Sequence, residues 1–178
     1  MTARVEPSFI GFFPKRVVAA PAPLAEAGVD EICSVSQCLA PGPSDWIASW
    51  THNEHGFFDT EAAALASIHD DGDYRLYAYE LYPYRIDALG SHRLEIRSGG
   101  NVTDRYDLIG FDIVSRSNSD FFECSPLSCN LAALVMPVNR YCLAADEATA
   151  MEYARRIADE GSYEPGPYHI VRVSRRRS

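Results

Sequence analysis

The sequence predicts an α+β fold: a two-layer sandwich with a mixed or antiparallel sheet, helices mainly on one face, and two duplicated β-α-β (ferredoxin-like) halves. Three observations predict it. Segments with strand periodicity alternate with segments of helical periodicity. The chain has 178 residues, 47 % hydrophobic and 23 % charged, which suits a single domain over residues 1–178 with an ordinary core. Short motifs also recur between residues 31–84 and residues 122–174.

Residues 9–18 read as a first strand, interrupted at Pro14. The Ala/Pro-rich stretch 19–30 reads as a surface connection, and 31–36 as a short strand. Pro41-Gly42-Pro43-Ser44 is a turn, after which Ser44 caps a short helix carrying Trp46, Ile47 and Trp50. Asp59 or Thr60 caps the next helix, with Leu65 and Ile68 as its apolar stripe and Gly72 closing the unit. Residues 74–84 form the clearest strand. Leu76 and Ala78 lie on one side, and Tyr77, Tyr79 and Leu81 on the other, the pattern of a strand covered on both faces.

Residues 92–97 read as a short strand before the Gly99-Gly100-Asn101 turn, 108–115 as a buried strand and 116–120 as a polar loop. Residues 126–134 suit one or two helical turns, and 139–143 a further strand. Asp146 caps the strongest helix, whose apolar face is Ala150, Met151, Ala154, Ile157 and Ala158 and which stops at Gly161. Residues 168–174 form the last strand.

The recurrence is one of order. Cys33-Ser-x-x-x-Cys38 matches Cys124-Ser-x-x-x-Cys129 at an offset of 91, and Glu61-Ala62-x-Ala64-Leu65 matches Glu147-Ala148-x-Ala150-Met151 at 86. The Tyr-led strands at Tyr74 and Tyr168 follow at 94, as loop insertions would produce. Chance is the competing explanation, because capped helices that end at glycine are common.

A net charge of -9 disfavours a broad nucleic-acid face. Arg175, Arg176 and Arg177 read as a solvated tail. No apolar run is long enough to cross a bilayer, and no secretion signal is legible. With five cysteines, an odd number, this points to a reducing cytoplasm and to thiols that are free or metal-bound. Lys15 stands alone against fifteen arginines, a compositional hint of a GC-rich bacterial genome.

Four groups can carry chemistry. Cys33, Cys38, His52 and His55 offer zinc two thiolates and two imidazoles, although the His-x-x-His gap is short; packing is the plainer alternative. The repeated cysteine loops offer a nucleophile at Cys124 or Cys129, with Asn130 beside it, or a metal site if both loops meet. Glu80 and Asp112 sit on covered strands and suit acid–base work if brought together; arginine pairing, as with Arg172, is the alternative. Tyr77 and Tyr79 belong to a tyrosine-dense strand that suits a binding groove. Nucleotide-binding, α/β-hydrolase and zinc-protease signatures are absent. The leading expectation is a small binding or regulatory protein of the immunity type, with a protein or small-molecule partner and no cofactor. A small enzyme with a cysteine or carboxylate site in the cleft between the halves, and a metal-binding domain using the Cys-Ser-x-x-x-Cys loops with zinc as its ion, are the alternatives.

Overall fold

The structure, a computed structural model, describes residues 5–43, 52–97, 100–117 and 121–178. The expected helix with Trp46 and Trp50, most of the 116–120 loop and Gly99 of the expected turn lie at or beyond the edges of these ranges. The elements run β1 (Ser8–Arg16), α1 (Ala22–Glu26), α2 (Glu61–Ala66), β2 (Tyr74–Leu81), β3 (Tyr84–Asp87), β4 (Gly90–Arg93), β5 (Tyr106–Ser115), α3 (Glu147–Glu160) and β6 (Tyr168–Arg176).

They form a small α+β fold around an open six-stranded sheet in which every recorded strand pair is antiparallel. β6 is the centre: β5 runs along one edge, while β2 and then β3 share the other, with β1 outside β2 and β4 outside β3. β1 and β2 are direct antiparallel neighbours, so the segment between them is a long excursion rather than the parallel crossover of a β-α-β unit. β1 also runs straight through Pro14, opposite Leu76. It is an edge strand, where a missing N–H costs no ladder bond.

The ladders β1–β2 and β5–β6 share one register. The pairs Gly11–Tyr79, Phe12–Ala78, Phe13–Tyr77 and Pro14–Leu76 stand beside Gly110–Val173, Phe111–Arg172, Asp112–Val171 and Ile113–Ile170. Each ladder has an irregularity just before its glycine. Each also receives a bridge from a later turn, Phe12 to Phe58 and Phe111 to Ala144.

One asparagine builds each of those turns. Asn53 Nδ2 donates to Ile10 O at 2.9 Å while its Oδ1 accepts from His55 N and Phe57 N. Asn139 Nδ2 donates to Ile109 O at 2.7 Å while its Oδ1 accepts from Tyr141 N and Leu143 N. The side chain thus takes the place of a ladder, and this is why 139–143 is a turn and not the strand its apolar residues predict. The turns lead into capped helices: Thr60 accepts from Ala63 N, and Asp146 accepts from Thr149 N at 2.8 Å.

α3 buries Ala150, Tyr153, Ala154 and Ile157 in a core shared with Phe111, Ile113, Tyr168 and Ile170, and ends at Gly161 in the left-handed region. α2 is shorter than expected and buries Ala64, leaving Leu65 38 % exposed. The opposite sheet face carries Tyr77, Tyr79, Asp112, Val114, Val171 and Val173, since residues opposed in an antiparallel ladder share a face. The two cysteine loops lie on that face.

Candidate functional site

The segment 31–36 forms no strand: Glu31, Ile32 and Cys33 donate to scattered backbone carbonyls of Arg140, Val18 and Tyr141, and side chains take the backbone groups of 34–36. Asp112, fully buried on β5, accepts from Ser34 Oγ at 2.9 Å, Val35 N at 2.7 Å and Ser125 Oγ at 2.6 Å. One carboxylate therefore holds both cysteine loops. Burial pushes its pKa up, and these hydrogen bonds pull against that shift. Lys15, 1 % exposed, donates to Ser34 O and Ser36 O from below the first loop. Burial lowers its pKa to about 7, with Asp112 opposing.

The loops meet at their cysteines. The Sγ atoms of Cys38, Cys124 and Cys129 all lie within 4.8 Å of one another, the one such ligand group among the described residues. Cys38 is exposed, Cys129 half-buried and Cys124 buried, so the cluster opens to solvent on the Cys38 side. Ser36 Oγ and Ser128 Oγ stand 3.7 and 3.8 Å from Cys129 Sγ. The Cys124 thiol holds Cys129 below the ordinary thiol range, helped by the Ser125 N–H and the two serines; the same bond and burial raise Cys124. Asn130 Oδ1, 3.8 Å from Cys124 Sγ, is a competing acceptor for the same thiol proton.

Cys33 stays outside the cluster. Its sulfur lies 3.4 Å from the Tyr77 hydroxyl, and burial drives its pKa up to about 12. The ladder position of Tyr77 corresponds to Val171 beside the second loop, which has no hydroxyl to offer. Cys124 is therefore available to Cys129 and Cys38, whereas Cys33 is held by a tyrosine.

The other predicted residues are dispersed. His52 packs edge-on against Phe58 at 4.6 Å, and burial lowers its pKa. His55 lines a separate cavity. Glu80 stands 3.4 Å from Arg172, its ladder partner, whereas Asp112 is opposite Val171, so the two carboxylates point to opposite faces. Tyr77 and Tyr79 are 1 % and 0 % exposed, with rings stacked at 6.3 Å; both lie in the core.

Sequence reasoning missed Lys15, the paired serines and both turn asparagines. The signals were a lone lysine on a buried strand and the tripeptide Ile-Gly-Phe at 10–12 and 109–111. No protein-family model, curated protein or solved structure matches this chain. No helix among the described residues is long and apolar enough to cross a membrane.

Proposed function

We propose that this protein binds a thiophilic metal ion, zinc first, through Cys38, Cys124 and Cys129 at the junction of two duplicated halves. The observation that carries the reading is the sulfur triad drawn from both loops. Zinc–sulfur bonds of about 2.3 Å place tetrahedral sulfurs roughly 3.8 Å apart, so closing the triad needs shifts under about 1 Å. Three protein ligands leave a fourth position open toward the solvent side, the pattern of sites that hold water or an exogenous ligand.

The duplication is supported by the matched ladder registers, the two asparagine turns and the two helix caps. Gly56 and Cys142, at corresponding turn positions, both have positive φ, 82° and 61°. In this reading each unit opens at β1 or β5, ahead of residues 31 and 122. A local dyad then passes through the Tyr79–Val173 pair between β2 and β6.

Elemental analysis of protein purified from zinc-supplemented medium without chelator tests the metal reading. About one zinc per chain is expected. Cys38→Ser, Cys124→Ser and Cys129→Ser should each lower it, while Cys33→Ala and Cys142→Ala should retain it. Less than about a tenth of an equivalent in the unaltered chain rejects the reading.

A partner-binding role is the second reading. Leu131, Leu134 and Val135 follow directly on the thiol loop and are 37 %, 46 % and 58 % exposed. Recovery of one stoichiometric partner, lost in Leu134→Asp with Val135→Asp, supports it; a partner retained by that variant removes this patch.

A further inference from the structure

A second candidate site lies away from the thiols. A cavity of about 540 Å³ has Glu54, Glu95, Arg97, Arg116 and His55 on its wall. Leu81, Leu94 and Phe121 supply its apolar side.

The duplicated-halves reading gives this cavity a counterpart, and there the matching positions are paired with one another. By ladder, turn and loop correspondence, Leu81 matches Arg175, His55 matches Tyr141, Glu54 matches Arg140 and Phe121 matches Asp30. Those four positions are cross-linked. Arg175 donates to Tyr141 Oη and to Glu31, each at 3.2 Å, and Arg140 pairs with Asp30 at 2.6 Å. In the cavity half a leucine stands where the central guanidinium would be, and a phenylalanine where a carboxylate would be. The four positions carry a different set of contacts, and an opening lies beside them.

His55 brings buried polar atoms to the wall of that opening. Both ring nitrogens of His55 lack a hydrogen-bond partner among the described residues although the side chain is only 12 % exposed; Glu54 Oε1 stays 3.8 Å from Nε2. His169, 4 % exposed, has an Nδ1 without a hydrogen-bond partner among the described residues. Buried polar atoms of this kind are ordinarily satisfied, by protein, water or ligand.

We propose that this cavity binds an α-amino acid with an apolar side chain. Arg97 and Arg116 take its carboxylate, Glu54 and Glu95 its ammonium group, and Leu81 and Phe121 its side chain. The balance of charge among the described residues selects this class. A simple anion would face two carboxylates and a simple cation two guanidinium groups, whereas a dipolar ion meets both signs, with an apolar wall for its tail. The comparison of the two ends rests on the duplicated-halves reading; the thiols play no part in it.

Calorimetric titration of the full chain with L-leucine, L-phenylalanine and L-tryptophan tests the proposal, each beside its N-acetyl derivative and its methyl ester. Saturable binding of at least one free amino acid is expected, with both blocked forms weaker by about tenfold or more. Arg97→Ala, at an exposed position, should weaken it by about tenfold. Leu81→Arg, which restores the guanidinium of the other half, should abolish it. No saturation by any of the three up to about 10 mM overturns the proposal. So does equal binding of the blocked forms, or binding that Arg97→Ala leaves unchanged.

Discussion

Asp112 shows how much one side chain can organise. Its oxygens accept from Ser34, Val35 and Ser125, and so from both cysteine loops. Asparagine has the same shape, but its amide nitrogen cannot accept, so Asp112→Asn leaves at least one buried donor unmatched. The expected loss is about 3 kcal/mol in urea unfolding, together with lower zinc content; unchanged stability would show that the loops are held by something else. His169 makes a second prediction. Burial first, then Arg116, lowers its pKa to about 4 from an ordinary 6.5. Above both values the imidazole is neutral in the folded and unfolded chains, so it adds no pH dependence. As pH falls from about 6.5 to 4 the unfolded chain takes up the proton first, and stability declines by up to roughly 3 kcal/mol. His169→Phe should flatten that part of the profile, measured by urea unfolding at pH 7 and pH 4.5 beside the unaltered chain. An identical acid loss in both proteins would exclude His169 as its source.

The elements that were legible in the sequence announce themselves through neighbours along the chain. Thr60, Asp146 and Gly161 mark helix ends by local hydrogen bonding and backbone conformation, and all three do so in the fold. The tyrosine strand was legible because both its faces are apolar. The 31–36 and 139–143 segments were misread for one reason: their apolar residues do enter the core, but Asp112 in the first and Asn139 in the second supply hydrogen bonds that a ladder would otherwise make. The β3–β4 hairpin escaped because β3 is four residues long and buries only Ile86, leaving no periodicity to read. The two Ile-Gly-Phe strands carry the sharpest element-scale prediction. Gly11 and Gly110 have φ of +137° and +146°, and each lies against the turn that bridges to it. A Cβ at Gly110 would stand 2.7 Å from Leu143 Cβ and 2.9 Å from Ala144 O; at Gly11 the distances to Phe57 Cβ and Phe58 O are 2.6 and 2.9 Å. Both backbone strain and overlap oppose a side chain there, so Gly110→Ala should cost about 3 kcal/mol and lower Tm by about 5–10 °C. Gly28→Ala is the control: it has positive φ, 90°, with no atom within 4 Å, and should cost clearly less.

At the scale of the whole molecule, the recurring cysteine motif was legible but its three-plus-one division was not. That division depends on Tyr77 standing beside Cys33 while Val171 holds the corresponding place, a matter of sheet register between residues far apart in sequence. The same register brings Cys38 to Cys124 and Cys129, so a bound ion would tie the first loop to the second across β1, β2, β6 and β5. A ligand that binds only the folded chain stabilises it by mass action, about 4 kcal/mol at a thousandfold excess over Kd. For a chain of this size that corresponds to a rise in Tm of about 10 °C. The rise should require both loops. Cys38→Ser removes an exposed side chain with little packing cost, yet it leaves sulfur ligands on one loop only, so zinc should then shift Tm by a few degrees at most. Cys33→Ala, which deletes a buried sulfur outside the triad, should start from a lower Tm and still show the full zinc-dependent rise. A thermal melt that zinc leaves unmoved in the unaltered chain, or moves equally in Cys38→Ser, would mean that the loops are held together without a metal ion, by Asp112 and the Ser36–Glu123 bond.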